Sequence, residues 1–459
     1  EGSRLSHAGC RGLVGRGRAA ARRLMTATFE KPSVEASSTL EEPSMSSRVL
    51  GWIDVVYCRF RETIQPQAQR WFSLGYGDLS SYVAEADRVV DTWESDGLKS
   101  LSDPLSIQWK PWSSGSGRDS LREESSAAAW CSPHNASQSG LVLFDEGSFA
   151  SPSCDTLPEE SRVVHFLFVR RAPGVESLPR TRAVYVHMAA TGTTSYTERL
   201  ETLAMPLLQH GIASCILIVP YNGSRRPSGQ ELHYIDNVAD YMRQSLAVIQ
   251  EGVALVRTLE AGFEVHPGER YAPGSLVLGV AGLSWGGAMA ACTSLVTRLP
   301  VACMVGLGSD SPKAMASGVI SWQLEWSALQ RARALKNRAE AQAEVEAIFT
   351  RLTFATLLQR GHGPTIGSCV QVAARCDWFV DSAEGLQLHE SLRKAVAPDG
   401  HVELRWIDGG HAWAFLNVQE HFLLACVKAI DEAEPVWKQR FACRHLGGGG
   451  ASARLMWSS

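Results

Sequence analysis

The sequence lacks the cysteine pattern of a disulfide-stabilised or cysteine-rich metal-binding protein. Its 459 residues contain no C-x-x-C pair, and the eleven cysteines are scattered singly and odd in number. Several of them, such as Cys215, Cys292 and Cys303, lie inside apolar runs, where a cysteine is typical of a small core residue. This usage fits a reducing compartment. The sequence therefore predicts an intracellular protein without a disulfide framework.

Long apolar runs and an excess of one charge are absent as well. The best apolar run, residues 212–219, falls far short of the roughly 18 residues that a membrane-spanning helix needs. The formal net charge of -4 gives no reason to expect nucleic acid as a partner. With 45% apolar and 20% charged residues, most of the chain should be globular. Nothing in the sequence implies a metal ion or an organic cofactor.

The two ends of the chain differ in composition from the rest. Residues 1–29 are rich in Arg, Ala and Ser, and Glu1 is the only acid before Glu30. This composition is typical of a mitochondrial or plastid transit peptide, and the alternative is a basic, disordered tail that carries no targeting signal. Mitochondria are thus one predicted location and the cytoplasm is the other. A Ser/Glu/Pro-rich linker follows to residue 47, and residues 436–459 are predicted to be a low-complexity tail.

Residues 48–139 are predicted to form an N-terminal helical extension with a Ser/Gly-rich insert. Between Val49 and Phe72, aromatic and aliphatic residues are interleaved with arginines. This pattern favours an amphipathic element packed on the core, and the alternative is a helix in peripheral contact with a membrane surface. Residues 99–140 are dominated by Ser, Gly and polar residues, which predicts a long loop or a disordered insert.

Residues 140–435 are predicted to form one α/β domain. Two opening antiparallel strands precede a series of apolar strands that alternate with helices, which predicts a mostly parallel central sheet with helices on both faces. A strong apolar period predicts a helix around Met242–Val256 that ends near Gly262. Residues 319–358 are predicted to be a small helical cap insertion. The predicted strands are 142–149, 163–169, 183–188, 214–219, 276–281, 301–307, 369–374 and 402–407.

The fifth predicted strand leads into the pattern Gly-x-Ser-x-Gly, centred on Ser284. An apolar, valine-rich run ends at Gly282, and a run of small residues follows Gly287. A serine between a buried strand and a closely packed helix is the arrangement of a nucleophile elbow, whose flanking glycines avoid backbone collisions. The alternative is a plain glycine-rich turn. We interpret Ser284 as a catalytic nucleophile because candidate partners follow it along the chain.

A serine nucleophile needs a base to accept its proton and an acid to orient that base. His411 follows the last predicted strand through two glycines, whereas His421 belongs to the next predicted helix and His445 to the tail. His411 is therefore the predicted base. Asp377, three residues beyond the seventh strand, is the predicted acid.

Two other aspartates are alternatives to Asp377 as the acid. Asp381 lies one turn later, where it could instead cap the following helix, and Asp310 follows the sixth strand.

Two loops at the carboxyl ends of the strands complete the predicted site. Backbone N–H groups of Trp285 and of Ala189 or Ala190 are expected to stabilise an oxyanion. His187, beside them, is interpreted either as a satisfied histidine at a strand end or as a direct participant.

The other loop carries two adjacent arginines. Either Arg225 or Arg226 is predicted to bind an anionic group such as a phosphate, with a salt-bridged surface arginine as the alternative.

Taken together, these motifs resemble the α/β-hydrolase domain-containing protein 18 family over roughly residues 48–430. The resemblance implies an α/β-hydrolase fold and a serine hydrolase of lipid type, with Ser284, Asp377 and His411 as its triad. It also implies association with mitochondria and action on phospholipid acyl chains, cardiolipin among them. The resemblance rests on 147–152 (GSFASP), 187–192 (HMAATG), 220–225 (PYNGSR), 282–287 (GLSWGG), 317–319 (SGV), 373–377 (AARCD) and 409–411 (GGH).

The motifs thus predict a hydrolase of acyl esters that acts through an acyl-enzyme intermediate, and the resemblance implies that the ester belongs to a lipid or phospholipid. The alternative is a catalytically silent hydrolase fold that serves as a binding or scaffold protein, because a fold does not determine a function.

Overall fold

The computed structural model describes residues 35–36, 42–64, 70–95, 105–111, 140–230, 233–267, 269–361, 363–417 and 419–446. The predictions for residues 1–29, including the mitochondrial location, concern a part outside these ranges and stay predictions. The same holds for most of the predicted Ser/Gly-rich insert, residues 112–139, and for residues 447–459.

A ten-stranded sheet organises the described part of the chain, in the order β1-β12-β11-β10-β9-β5-β6-β4-β3-β2. The six strands from β12 to β6 in that order are parallel to one another. Strands β4, β3 and β2 extend the sheet antiparallel at one end, and β1 pairs antiparallel with β12 at the other. The bounds are β1 Glu35–Ala36, β2 Gln108–Pro111, β3 Val142–Ala150, β4 Val163–Arg171, β5 Ala183–Met188, β6 Ile212–Ile218, β7 Phe263–His266, β8 Glu269–Tyr271, β9 Val277–Leu283, β10 Ala302–Gly306, β11 Ile366–Ala374 and β12 Val396–Ile407, with β7 and β8 forming a separate two-stranded ribbon.

Helices cover both faces of the parallel strands. Every residue of β5, β6 and β11 is buried, and since successive side chains point to opposite faces, neither face can be open to solvent. The main helices are α1 Met45–Ile64, α2 Leu79–Ser95, α3 Val238–Ala261, α4 Trp285–Val296, α5 Trp326–Arg333, α6 Arg338–Thr350, α7 Phe354–Gln359, α8 Ser382–Ala395, α9 His411–Asn417 and α10 Gln419–Leu446. Short helical turns are Glu159–Ser161, Thr197–Arg199, Leu200–Ala204, Met205–Leu207, Leu208–His210, Gly223–Arg225, Lys313–Ala316 and Val319–Gln323.

The strands and helices predicted between residues 140 and 407 are confirmed. All eight predicted strands are present, and their observed bounds differ from the predicted ones mostly by one to three residues. The predicted amphipathic helix is α3, which begins after the side-chain cap of Asn237 and ends before Gly262, whose φ of 87° is in the region that favours glycine. The predicted cap insertion contains α5, α6 and α7.

Two predictions about the edges of the domain were wrong. Part of the predicted loop at residues 99–140 is β2, which pairs with β3 at the sheet edge. The predicted tail from residue 436 begins inside α10, which continues to Leu446. Trp437 on this helix is 1% exposed, and its indole N–H donates to the carbonyl of Gly274 at 3.1 Å. A buried aromatic side chain with a satisfied N–H makes this part of the helix a component of the core.

The amphipathic element predicted between Val49 and Phe72 begins with α1, but the helix packs through an unexpected face. Within residues 45–59 of α1, the buried side chains are small or polar: Ser47, Asp54 and Cys58. Large apolar residues on the opposite face are exposed, among them Trp52 and Val56. Of the aromatic residues that suggested the element, Trp71 and Phe72 are buried, whereas Trp52 on α1 is 58% exposed and touches the domain only at its edge, with its ring 6.0 Å from that of Trp378.

Replacing Trp437 with Ala tests whether α10 belongs to the folded core. The substitution removes a buried indole and its hydrogen bond, so we expect the free energy of unfolding to fall by about 3–5 kcal/mol in denaturant titrations. Lys438→Ala, at a side chain that is 71% exposed, is the matched control and should change it by less than about 0.5 kcal/mol. If Trp437→Ala changes the free energy of unfolding as little as the control does, this part of α10 is not a component of the core.

Candidate active site

Ser284 lies in a sharp turn between β9 and α4. Its φ of 57° and ψ of −128° are a strained backbone conformation for a residue with a side chain. The turn leaves no room for a Cβ on its glycines: one added to Gly282 would lie 2.1 Å from the Gly286 carbonyl oxygen. One added to Gly286 would lie 2.6 Å from the carbonyl oxygen of Ala189. The Gly-x-Ser-x-Gly spacing is thus required by the close approach of strand, helix and neighbouring loop.

The structure brings Ser284, His411 and Asp377 together. Nε2 of His411 is 2.9 Å from Oγ of Ser284, and Nδ1 of His411 is 2.7 Å from Oδ2 of Asp377. A proton on Nδ1 satisfies the carboxylate and leaves Nε2 free to accept the serine proton. This is the predicted arrangement, whereas the catalytic role of the three residues stays a prediction.

The Asp377 carboxylate is itself fixed by its own loop. Its second oxygen, Oδ1, accepts hydrogen bonds from the backbone N–H groups of Phe379 and Val380, each at 2.8 Å. The Phe379 ring stacks on the His411 imidazole, with a distance of 4.8 Å between the ring centroids. Phe379 and Val380 therefore fix the acid through their backbone N–H groups, and the ring of Phe379 also packs against the base.

The charge balance at His411 favours its protonated form. Burial lowers the pKa of His411, but the charge of Asp377, its hydrogen bond and the charge of Asp54 raise it, and the net result lies above the usual value of 6.5. A base with a raised pKa accepts the serine proton more readily, provided that the solution pH keeps it neutral beforehand.

The two alternative acids have other partners. The Asp381 carboxylate accepts from the N–H of Ala383 at 2.8 Å and caps the start of α8. The Asp310 carboxylate accepts from the N–H groups of Phe354 and Ala355 at the start of α7. Burial raises the pKa of Asp310 to about 7, although both hydrogen bonds lower it. Asp377 alone of the three candidates is hydrogen-bonded to His411.

The loop after β5 lies against the start of α4, as predicted for a second oxyanion donor. Ala189 and Ala190 are buried, and the close approach of Ala189 to Gly286 brings this loop beside the Ser284 turn. Arg199 holds the beginning of the loop, because its guanidinium donates to the carbonyl of His187 at 3.0 Å. The backbone N–H groups of Trp285 and of Ala189 or Ala190 stay the predicted donors.

His187 is a buried, neutral histidine at the end of β5. Its Nε2 is 2.9 Å from Oγ of Ser214, and burial, together with the charge of Arg199, lowers its pKa to about 3. Its Nδ1 is buried without a hydrogen-bond partner among the described residues, so only one of the two ring nitrogens is satisfied, and both interpretations made from the sequence stay open.

The prediction that Arg225 binds a substrate anion was wrong. Its guanidinium is fully buried and binds both carboxylate oxygens of Glu251, at 2.6 and 2.8 Å. The remaining guanidinium contacts are the carbonyl oxygens of Ser161 and Ile218. Because the charge of this buried guanidinium is compensated by a carboxylate that accepts two hydrogen bonds from it, the group is not available to bind an anionic ligand. Arg226 is exposed, and the corresponding prediction for it stays a prediction.

The Arg225–Glu251 pair explains why two of the sequence motifs occur together. Ser151 of the GSFASP motif donates to the Glu251 carboxylate at 2.6 Å, and Ser161 donates to the carbonyl of Arg225 at 2.6 Å. Segments that are far apart in the sequence thus meet at one buried carboxylate on α3. Their role in the described structure is to fix the loop after β6 rather than to contact the triad.

Asp54 is the residue near the triad that the sequence analysis missed. It is completely buried and accepts hydrogen bonds from the N–H groups of Trp378, His411 and Ala412, at 3.0, 2.8 and 2.7 Å. The sequence does contain a pattern that points to it. Small or polar residues recur on one side of the helix, and Asp54 is the only acid between residues 43 and 61. The recurring residues are Ser47, Gly51, Asp54 and Cys58.

Aromatic side chains line the other side of the Ser284 turn. The ring of Trp285 is 6.3 Å from that of Tyr241, which stacks on Phe349 of α6 at 5.2 Å. Trp71 meets Tyr241 edge-on at 5.6 Å. Since α6 belongs to the cap insertion, the insertion supplies part of an aromatic wall next to the nucleophile.

The mostly parallel sheet, the strained serine turn and the convergence of Ser284, His411 and Asp377 at its carboxyl edge define an α/β hydrolase. The family model described as alpha/beta hydrolase domain containing 18 matches residues 110–360, more than half of the chain. The chain belongs to this family, which confirms the resemblance drawn from the sequence motifs.

Solved structures with a similar chain path include several esterases. Acetyl xylan esterase 1 from Thermoanaerobacterium sp. JW/SL YS485 is 11% identical, with a TM-score of 0.45, over 79% of this chain and 97% of that one. Acetyl xylan esterase from Paenibacillus sp. R4 is 15% identical, with a TM-score of 0.46, over 79% and 98%. S-formylglutathione hydrolase from Agrobacterium tumefaciens is 13% identical, with a TM-score of 0.39, over 63% and 96%.

The described residues contain neither a candidate membrane span nor a candidate metal site. No helix within these ranges combines the length and the apolarity that a bilayer crossing requires. Within the same ranges, His, Cys, Asp and Glu side chains form no group of three or more that could hold a metal ion.

The pKa of His411 is directly measurable and tests the charge balance of the site. We expect a histidine-labelled sample to show, by NMR, an imidazole that titrates above pH 6.5, because the Asp377 charge outweighs burial. Asp377→Asn should lower that pKa by removing the opposing charge. Asp381→Asn is the control and should leave the titration where it was; a His411 pKa that is insensitive to Asp377→Asn would contradict the described contact.

Proposed function

We propose that this protein is a serine hydrolase that cleaves carboxylic acyl esters, with Ser284 as nucleophile, His411 as base and Asp377 as the orienting acid. The observation that carries the proposal is the 2.9 Å contact between the Ser284 hydroxyl and Nε2 of His411, whose other nitrogen is bound to Asp377. A serine hydroxyl becomes a competent nucleophile when such a base accepts its proton as the new bond forms.

The first half of the reaction transfers the acyl group to the enzyme. Oγ of Ser284 attacks the ester carbonyl while Nε2 of His411 takes the hydroxyl proton, and the carbonyl oxygen becomes an oxyanion. The N–H groups of Trp285 and of Ala189 or Ala190 donate hydrogen bonds to this oxyanion. The carbonyl re-forms as the alcohol departs with the proton from His411, leaving an acyl-enzyme on Ser284.

The second half restores the enzyme. Water enters in place of the alcohol and gives its proton to Nε2 of His411 as its oxygen attacks the acyl carbonyl. Collapse of the second tetrahedral intermediate releases the carboxylic acid, and His411 returns the proton to Oγ of Ser284. Asp377 keeps its charge throughout and stabilises the imidazolium that forms in each half.

We further propose that the ester belongs to a lipid, and most naturally to a phospholipid such as cardiolipin. One support is the aromatic wall of Trp285, Tyr241 and Phe349 beside the nucleophile, in which the partly exposed ring of Trp285, backed by the two buried rings, presents an apolar surface to an acyl chain. The other is the outer face of α1, which is apolar and exposed close to the acid: the ring of Trp52 is 6.0 Å from that of Trp378, the residue after Asp377.

The outer face of α1 is proposed to make peripheral contact with a membrane. Its exposed apolar side chains recur at helical spacing, which produces a continuous stripe of the kind that inserts into the interface of a bilayer. Arg48 and Arg59 border the stripe and would favour an anionic lipid surface. The stripe consists of Met45, Val49, Trp52 and Val56, which are 76%, 58%, 58% and 64% exposed.

Replacing Ser284 with Ala tests the proposed reaction. We expect the turnover of p-nitrophenyl esters per folded molecule to fall by at least about a thousandfold, because the proposed acyl intermediate forms on the Ser284 hydroxyl. Ser294→Ala is the matched control: this serine is also on α4 and is buried, and its hydroxyl has no hydrogen-bond partner among the described residues. Wild-type protein that hydrolyses no ester would instead favour a binding or scaffold function.

A Val49→Ser, Val56→Ser double variant tests the membrane contact separately from catalysis. Both side chains are exposed on the stripe, so we expect binding to phosphatidylglycerol vesicles to weaken by about tenfold or more in sedimentation assays. Hydrolysis of a soluble short-chain ester should not change. Leu74→Ser replaces an exposed apolar side chain outside α1 and should leave vesicle binding intact; unchanged binding of the double variant would remove the proposed membrane contact.

A further inference from the structure

The inward face of α1 lies against the two loops that carry the proposed acid and base. Oγ of Ser47 accepts from the N–H of Gly409 at 2.9 Å and donates to the Cys376 sulfur at 3.5 Å. A Cβ added to Gly51 would lie 2.6 Å from the Cys376 carbonyl oxygen, so the helix is in direct contact with the loop after β11. The two loops also bind each other, through the N–H of Cys376 and the carbonyl of Gly409 at 3.0 Å.

Asp54 joins these loops at the residues that matter for the proposed reaction. Its Oδ2 accepts from the backbone N–H of His411 itself, at 2.8 Å, and from that of Trp378, next to Asp377, at 3.0 Å. Its Oδ1 accepts from the N–H of Ala412 at 2.7 Å. One buried carboxylate therefore fixes the backbone of the base and the backbone beside the acid at the same time.

We propose that Asp54 is a positioning residue: its ionised carboxylate holds the loops of His411 and Asp377 in the geometry that connects them to Ser284. This inference rests on the proposed function. Asp54 does not need to contact the substrate, because its effect passes through the backbone to the imidazole. Misplacement of a catalytic group by about 1 Å is enough to reduce a rate by about a hundredfold.

The electrostatic environment of Asp54 supports this role. Among the described residues, the ionisable groups whose charges act on it are Asp377, from the loop after β11, and His411, at the first residue of α9. Burial and the Asp377 charge raise the pKa of Asp54 to about 6, while His411 and the hydrogen bonds from Trp378 and Ala412 lower it. Above this pH the carboxylate is ionised, accepts from all three N–H groups and favours a protonated His411 through its charge.

Protonation of Asp54 would reverse these effects. As the pH falls through about 6, one carboxyl oxygen becomes an O–H donor and can no longer accept freely from the N–H groups that face it. His411, whose pKa is raised above 6.5, is already protonated in most molecules at this pH. Activity should therefore fall more steeply with acidity than the protonation of one histidine would make it fall.

The test is Asp54→Asn, compared with Asp310→Asn. Both substitutions replace a buried carboxylate that accepts from backbone N–H groups and has a raised pKa, but the partners of Asp310 lie at the start of α7. Rates should be expressed per active site titrated with a fluorophosphonate, so that unfolded molecules are not counted. Turnover of a soluble p-nitrophenyl ester, its KM and the pH profile of kcat/KM are then measured for both variants.

For Asp54→Asn we expect kcat to fall by about 10- to 100-fold while KM stays within about twofold, because the loops move and the substrate contacts do not. The acid limb of kcat/KM should shift to lower pH, because removing the Asp54 charge lowers the pKa of His411. For Asp310→Asn the acid limb should stay in place. An Asp54→Asn variant with wild-type kcat and an unmoved acid limb would overturn the proposal.

A wild-type measurement covers the case in which Asp54→Asn does not fold. Between about pH 6 and pH 5, the slope of log kcat/KM against pH should exceed one in the wild-type protein, because two groups are protonated. A slope of one would contradict the role of Asp54 while leaving the proposed esterase intact. A wild-type chain that neither reacts with the fluorophosphonate nor hydrolyses any ester would remove both proposals.

Discussion

The contact between Ser284 and His411 depends on the register of four parallel strands. In the sheet, Leu283 at the end of β9 lies opposite Gly306 at the end of β10, and Gly306 lies opposite Val372 near the end of β11. Strands β11 and β12 then run together to their last residues, Ala374 and Ile407. Because each strand residue advances the chain by about 3.3 Å, a register shift of one residue would be enough to break the hydrogen bond. The distance between Ser284 and His411 is therefore determined in large part by how these strands pair.

The sheet alone cannot place the acid and the base, since both lie beyond the strand ends, Asp377 in the loop after β11 and His411 at the first residue of α9. The described structure adds a second support there, in which Ser47 and Asp54 of α1 bind the backbone of both loops. The same helix presents an exposed apolar face on its opposite side. One helix therefore carries the proposed membrane contact on its outer face and the support of the proposed triad on its inner face.

Much of this arrangement could be predicted from the sequence, because its signals are local. Buried strands appear as apolar runs, and the Ser284 turn has flanking glycines whose necessity is steric. The failures concern partners that are distant along the chain. Arg225 looked like an anion-binding residue because Glu251, its partner, follows 26 positions later on another element. Asp54 was missed because its hydrogen-bond donors are backbone N–H groups, which every residue type except proline has, so that the sequence does not identify them as its partners.

The central claim is that Ser284 is a nucleophile activated by His411. The most direct measurement is to treat the purified protein with a fluorophosphonate, digest it and locate the modified residue by mass spectrometry. The proposed account predicts one adduct, on Ser284, that forms more slowly as the pH falls through the raised pKa of His411. An adduct on a different residue, or none at conditions where the protein is folded, would contradict it.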